Sequence, residues 1–254
     1  MTRPIHQHLL DARQSGPGFL WLIDPDRIDP AHPDPRWSQA HNLGVAAFLV
    51  GSSQECDSSF DRNVALLRHH ARLPLILFPG SAAQVSAYVD AVLFLTLLSG
   101  RNPDFLVGEQ VKGTPLVRDY GIEPIPTGYL LIDTGAETSV ARQSRTRPLP
   151  EDDPDTIRHH ALCAQYMGQA FVYLEAGSGA QRPIDPSVIA TVKREIDIPL
   201  IVGGGIRTVE QCDEAATSGA DFVVVGTALE ENRSVDLLRA MTDAVTHARR
   251  KVHA

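Results

Sequence analysis

A single-domain (β/α)8 barrel of the α/β class is the fold this sequence predicts, and three observations predict it. At 254 residues and 27.6 kDa the chain matches one large single-core α/β domain. Eight short apolar runs recur along it, each rich in β-branched residues, Leu or Phe and too short to be a helix. Helical stretches separate most of these runs, as parallel strands buried on both faces require. A doubly wound open sheet is the structural alternative.

The predicted strands, in order, are "FLWLI" from Phe19, "VAAFLV" from Val45, "PLILF" from Pro74, "AVLFLTLL" from Ala91, "GYLLI" from Gly128, "AFVYLE" from Ala170, "PLIVGG" from Pro199 and "DFVVVG" from Asp221. Helices are expected at "FDRNVALLRHHAR" from Phe60, "DPDTIRHHALCAQYMG" from Asp153, "DPSVIATVKREI" from Asp185 and "TVEQCDEAATSGA" from Thr208. Two of them open on Asp-Pro, a capping side chain followed by a proline suited to the first helical position. Residues 1–18 are polar, broken by Pro and Gly, and read as an amino-terminal extension. The stretch 134–155 is polar, Arg-rich and Pro-containing; it is expected as a mobile loop that displaces or replaces the fifth helix.

Composition narrows the function classes. Lys and Arg number 23 against 31 Asp and Glu, a net charge of -8 that argues against an extended nucleic-acid surface. Phosphate ligands stay open, because backbone amides bind phosphate whatever the net charge. Cys56, Cys163 and Cys212 lack disulfide or zinc spacing. No apolar run reaches the roughly 20 residues of a membrane span, and no signal-like stretch opens the sequence, so a cytoplasmic protein is expected.

In a barrel the reactive side chains come from the carboxyl ends of the strands. The last two exits are glycine-rich: Gly203, Gly204 and Gly205 leave one strand, Gly226 and Thr227 the next. Each alone is either a tight turn or a phosphate loop; together, at corresponding exits, they predict a phosphate cradle. The preceding exit, "YLEAGSGA", sets Tyr173 and Glu175 on one face by period-two alternation and turns Val172 and Leu174 to the other. Glu175 is then either a turn cap or a general base beside the cradle. "LIDPD" ends the first strand with Asp24, a capped turn or a carboxylate post for Mg²⁺. "VGSSQ" follows the second strand and offers Ser52 and Ser53 as hydroxyl ligands.

Taken in order, "LIDPD", "FLVGSSQ", "NPDFLVGEQ", "IPTGYLLID", "YLEAGSGA", "VGGGIRT" and "VGTALE" resemble the geranylgeranylglyceryl phosphate synthases, in the branch that carries "YLEAGSG". The resemblance runs from Phe19 to Glu230. It implies a TIM-barrel prenyltransferase that joins a prenyl diphosphate to the C3 hydroxyl of sn-glycerol 1-phosphate with Mg²⁺ assistance. It further implies metal ligation by Asp24 and Ser53, with Ser52 as the alternative register. Glycerol phosphate would lie on Tyr173, Leu174, Glu175, Ala176, Gly177, Ser178 and Gly179, on Gly203 and Gly204 with Gly205 as substitute, and on Gly226 and Thr227. Glu175 is the expected base and Tyr173 its orienting partner. Another branch carries a lysine where this chain has Leu22. The segment containing Phe105, Leu106 and Val107 resembles the wall of a polyprenyl groove, although these residues equally suit helix core. Homo-oligomers are common in the family. Competing readings are prenyl transfer to 3-phosphoglycerate, whose carboxylate would sit badly near Glu175, a sugar-phosphate isomerase, and a non-catalytic phospholigand-binding barrel.

Overall fold

The computed structural model describes residues 4–52, 59–135 and 137–248. Its strands are β1 Gly18–Ile23, β2 Val45–Val50, β3 Leu75–Leu77, β4 Ala91–Leu97, β5 Glu123–Asp133, β6 Leu149–Pro150, β7 Phe171–Glu175, β8 Leu200–Gly203 and β9 Phe222–Val225. All pairings are parallel, and the β4–β5 and β1–β9 ladders close eight strands into a barrel. The two-residue β6 pairs only with the end of β5. All eight apolar runs are barrel strands, and β7 is the sixth of them around the wall.

Strand alternation sorts the side chains into two cores. Leu20, Leu49, Ile76, Leu93, Ile125, Tyr173, Ile201 and Phe222 fill the barrel interior, whereas Phe19, Trp21, Val50, Leu130, Val172, Leu174 and Val202 pack outward against the helices. The predicted helices form as Phe60–His70, Pro154–Tyr166, Pro186–Glu195 and Val209–Thr217. Asp153 and Asp185 cap two of them through backbone N–H groups of Thr156 and Ser187, and Thr208 closes a capping box with Gln211.

Two departures from the expected layout matter. The helix of the fifth unit is retained as Pro154–Tyr166, held by its Asp-Pro start; the stretch before it carries the short helix Ser139–Ser144 and β6. It is the third unit that lacks a covering α-helix: between β3 and β4 the chain makes one 3₁₀ turn, Ala82–Gln84. "FPGSAAQVSAYVD" from Phe78 breaks helical periodicity with Pro, Gly and Ser. The outer face of β4 therefore meets a void where other strands meet a helix.

The expected extension also folds. Helix Pro4–Ala12 closes the amino end of the barrel, with Leu9 buried among the interior side chains. The Glu123 carboxylate, at the start of β5, accepts the N–H groups of Ile5 and His6 at 2.7 and 3.0 Å, a side-chain cap supplied from the barrel wall.

Candidate active site

At the carboxyl ends of the strands lies a cavity of about 220 Å³. Among its polar residues is Glu175, the last residue of β7, only 5% exposed. Burial lifts its carboxyl to about 7, against the opposing effects of the Gly177 N–H, which donates to Oε1 at 2.7 Å, and of the nearby Tyr173 hydroxyl. That hydroxyl is fully buried and has no partner in hydrogen-bonding geometry among the described residues. A buried tyrosine hydroxyl at a cavity wall has the chemistry to donate to a ligand oxygen. Its ring stacks on Phe78 at 5.0 Å and meets Tyr129 edge-on at 5.5 Å, so three aromatic rings lie together beside the Glu175 carboxylate. Burial, with the Glu175 charge adding to it, holds the Tyr129 and Tyr173 phenols well above their ordinary range.

The glycines around Glu175 are there for room. Gly204 has φ +85°, and a side chain on it would enter the Glu175 carboxylate. A side chain on Gly177 would strike Thr138, whereas Gly179 opens onto free space. Gly177, Ser178, Gly179, Gly204, Gly205, Gly226 and Thr227 all line the cavity. Three expected residues do not. Leu174 points outward by alternation into the core beneath the helices. Ala176 is buried on the same side, and its N–H extends the ladder to the Gly203 carbonyl at 3.0 Å. Gly203 lies within β8, where its missing side chain makes space for the Tyr173 hydroxyl.

Across the mouth, Asp24 follows β1. Its Oδ1 accepts the Asp26 N–H at 3.0 Å. Burial raises the Asp24 carboxyl, the Asp26 charge adds to the rise, and the neighbouring Ser52 hydroxyl lowers it. Ser52 lines the cavity; Ser53 lies outside the described residues. Glu230 reaches over from the helix Thr227–Glu231: Oε1 accepts the Asp24 N–H at 3.3 Å and Oε2 the Arg27 Nη1–H at 2.9 Å. Phe78, Tyr129, Arg27, Arg207 and Glu230 are cavity residues that the sequence reading did not select. Period two pointed Tyr129 inward in "GYLLI" and Phe78 inward in "PLILF", and Arg27, Arg207 and Glu230 each stand three residues beyond a chosen site residue.

From this polar end the cavity runs outward into an apolar groove beneath the helical segment Asp104–Asp119, lined by Val85, Val92, Phe94, Phe105, Gly113 and Val117. It occupies the place of the missing third helix. Phe105 is on its wall, whereas Leu106 is half-buried and off it and Val107 is exposed at 57%. Five residues, Asp104–Gly108, form a π-helix at this wall, a wide turn that recurs at functional sites.

A model of the PcrB family matches residues 10–248. The geranylgeranylglyceryl phosphate synthase of Thermococcus kodakarensis is 45% identical over 219 residues, 86% of either chain. The synthase of that name from Spirosoma linguale is 40% identical over 238 residues, 93% of this chain and 95% of its own. The crystal structure of (S)-3-O-geranylgeranylglyceryl phosphate synthase from Thermoplasma acidophilum, in complex with its substrate sn-glycerol-1-phosphate, superposes with a TM-score of 0.87 at 34% identity, covering 97% of this chain and all of that one.

Proposed function

This chain belongs to the PcrB family of geranylgeranylglyceryl phosphate synthases, and we propose that it transfers a polyprenyl group from a prenyl diphosphate to the C3 hydroxyl of sn-glycerol 1-phosphate, yielding an ether-lipid precursor and diphosphate. The observation that carries the reading is the continuity of one cavity. A buried carboxylate and an unspent tyrosine hydroxyl meet a ring of glycines at one end, and an apolar groove leads away from them at the other. Glycerol phosphate suits the first chemistry and an isoprenoid chain the second.

In this reading the glycine exits of β7, β8 and β9 bind the acceptor phosphate, and Tyr173 donates to an acceptor oxygen. Glu175, poised near neutrality, takes the proton of the C3 hydroxyl as that oxygen attacks C1 of the prenyl chain. The allylic C–O bond breaks, the ether C–O bond forms, and diphosphate leaves with the bonding electron pair. Groove and cradle fix both ends of the reacting pair, so regiochemistry follows from position.

The donors around Asp24 suit Mg²⁺. They are hard oxygens, few in number, and among the described residues no group of three His, Cys, Asp or Glu surrounds them, so diphosphate oxygens would complete the shell. Asp24 with the hydroxyl of Ser52 or Ser53 would hold the ion, whose charge offsets that of the leaving diphosphate.

No helix of the described residues is long and apolar enough to cross a membrane. Exposed Val107, Val111, Leu116, Tyr120, Tyr166 and Met167 support association of copies of the chain, which we place in the cytoplasm. The test of the function is product mass spectrometry after incubation with glycerol 1-phosphate and prenyl diphosphates of several lengths. An ether product of matching mass is expected; its absence at every length sinks the reading.

A further inference from the structure

The cavity's positive charge resides in two side chains. Arg27 and Arg207 are the cations among the described residues lining it, and the stretch 53–58 contains no Lys, Arg or His. Both are paired with neighbouring carboxylates of one short helix: Arg27 Nη1 with Glu230 at 2.9 Å, and Arg207 Nη1 with Glu231 at 3.1 Å. Their surroundings differ. Arg27 stands beside Asp24, its Nε 3.7 Å from Oδ2, whereas Arg207 follows the Gly204–Gly205 turn that faces Glu175.

We propose, building on the prenyl-transfer reading, that Arg27 binds the diphosphate of the donor and Arg207 the phosphate of the acceptor. Glu230 and Glu231 hold the two guanidinium groups until the anions arrive. Two anionic groups must enter this chamber, and its polar end offers two cations, one beside Asp24 and one after the Gly204–Gly205 turn.

A structural arginine in the same region looks different. Arg36 is 1% exposed and grips Asp34 through Nε and Nη2, with further bonds to the carbonyls of Leu229 and Asn232. Arg27 and Arg207 are about half exposed, and each makes one side-chain hydrogen bond among the described residues. A guanidinium has five N–H donors, so both retain a free edge for phosphate oxygens. Exposed ion pairs are weak and screened, so exchanging a glutamate for a phosphate-type anion is easy. The paired carboxylate meanwhile holds each guanidinium among the residues that line the cavity. Glu230 also accepts the Asp24 N–H, so release of Arg27 leaves the metal post anchored.

Calorimetric titration of inorganic diphosphate and, separately, sn-glycerol 1-phosphate in Mg²⁺ buffer tests the assignment without turnover. Wild-type protein should bind both. Arg27→Gln should weaken diphosphate by about tenfold or more and glycerol 1-phosphate by less than about threefold, with Arg207→Gln reversing the pattern. Arg27→Lys keeps the charge without the fork and should lie between, and it carries the test if Arg27→Gln fails to fold. Glu230→Gln should hold or tighten diphosphate, because it removes the competitor; a merely structural pair would lose affinity equally from either side. An unchanged diphosphate Kd in Arg27→Gln, or equal losses of both anions in each arginine variant, overturns the assignment. If wild-type protein binds neither anion, the prenyl-transfer reading itself falls, and this assignment with it.

Discussion

The Glu175 carboxylate occupies the space into which a side chain at Gly204 would project. Around that same point lie the backbone nitrogens of Ala176 and Gly177, and Gly204 itself holds φ +85°. Glycine is thus required twice over, once by the left-handed backbone and once by the carboxylate. The carboxylate on β7 and the loop after β8 are thus packed directly against each other.

Gly204→Ala should therefore act as a catalytic lesion through position alone. Turnover is expected to fall by about 100-fold or more as Glu175 is pushed aside, and stability by about 1–3 kcal/mol. Gly168 is the control: φ is +80°, a side chain there meets nothing within 4 Å, and it lies off the cavity wall. Gly168→Ala should cost about 1 kcal/mol of backbone strain with a much smaller loss of rate. Steady-state assays beside urea melts separate the two, and equal rate losses would refute the contact.

Protonation of Glu175 sets two opposite pH trends. Burial raises its carboxyl from 4.5 to about 7, so between those values the folded chain holds a proton that the unfolded chain has released. Its contribution to stability is full below the unfolded value and is lost as pH rises to about 7. Glu175→Gln removes that loss and should gain on wild type by about 3 kcal/mol between pH 4.5 and 8. Activity runs the other way, since only the carboxylate takes a proton: wild-type kcat/KM should fall as pH drops through about 7, and the Gln variant should lack that limb. Parallel melts and pH–rate profiles check both, and identical pH–stability curves would contradict the cost of burial.

Asp24→Asn probes the oxygen post. The substitution keeps shape and acceptor but removes the charge that a hard cation needs. Turnover should drop by about 100-fold or more, with half-maximal rate shifted to higher Mg²⁺ concentration, and a chelator should abolish wild-type turnover reversibly. Undiminished rates in the chelator would exclude Asp24 as a metal post.

Much of this was written in local sequence. Eight apolar runs gave eight barrel strands because a strand buried on both faces has no other composition available, and period two placed Tyr173 and Glu175 inward and Leu174 outward. Asp153 and Asp185 marked helix starts for the capping reason expected. What escaped depends on distant partners. Pro124 and Pro126 disguised the first half of β5, which pairs with β4 along its whole length. The amino-terminal helix has one fully buried anchor, Leu9, and takes its cap from Glu123, 117 and 118 positions away from the donors. The missing third helix was an absence between two correctly read strands, and Glu230 reaches Asp24 from 206 positions away.

That absence leaves room for the groove, and Gly113 is on its wall. The glycine is buried in the helix Glu109–Asp119, facing Val85 and Ala82, where an added Cβ would make ordinary contacts at 3.6 and 3.7 Å. Gly113→Ala therefore fits, and relief of glycine's helix penalty should stabilise the protein by about 0.5–1 kcal/mol with little change in rate. Gly113→Phe adds a ring to a residue of the groove wall, which Val92 and Val117 also line. If the isoprenoid lies there, its KM for a twenty-carbon donor should rise by about tenfold while that for a five-carbon donor barely changes, since each buried CH₂ contributes about 0.8 kcal/mol only where it finds room. The measurement is KM against donor length for the three proteins. A uniform increase at every length would point to a disturbed polar end, and no increase at any length would place the chain elsewhere.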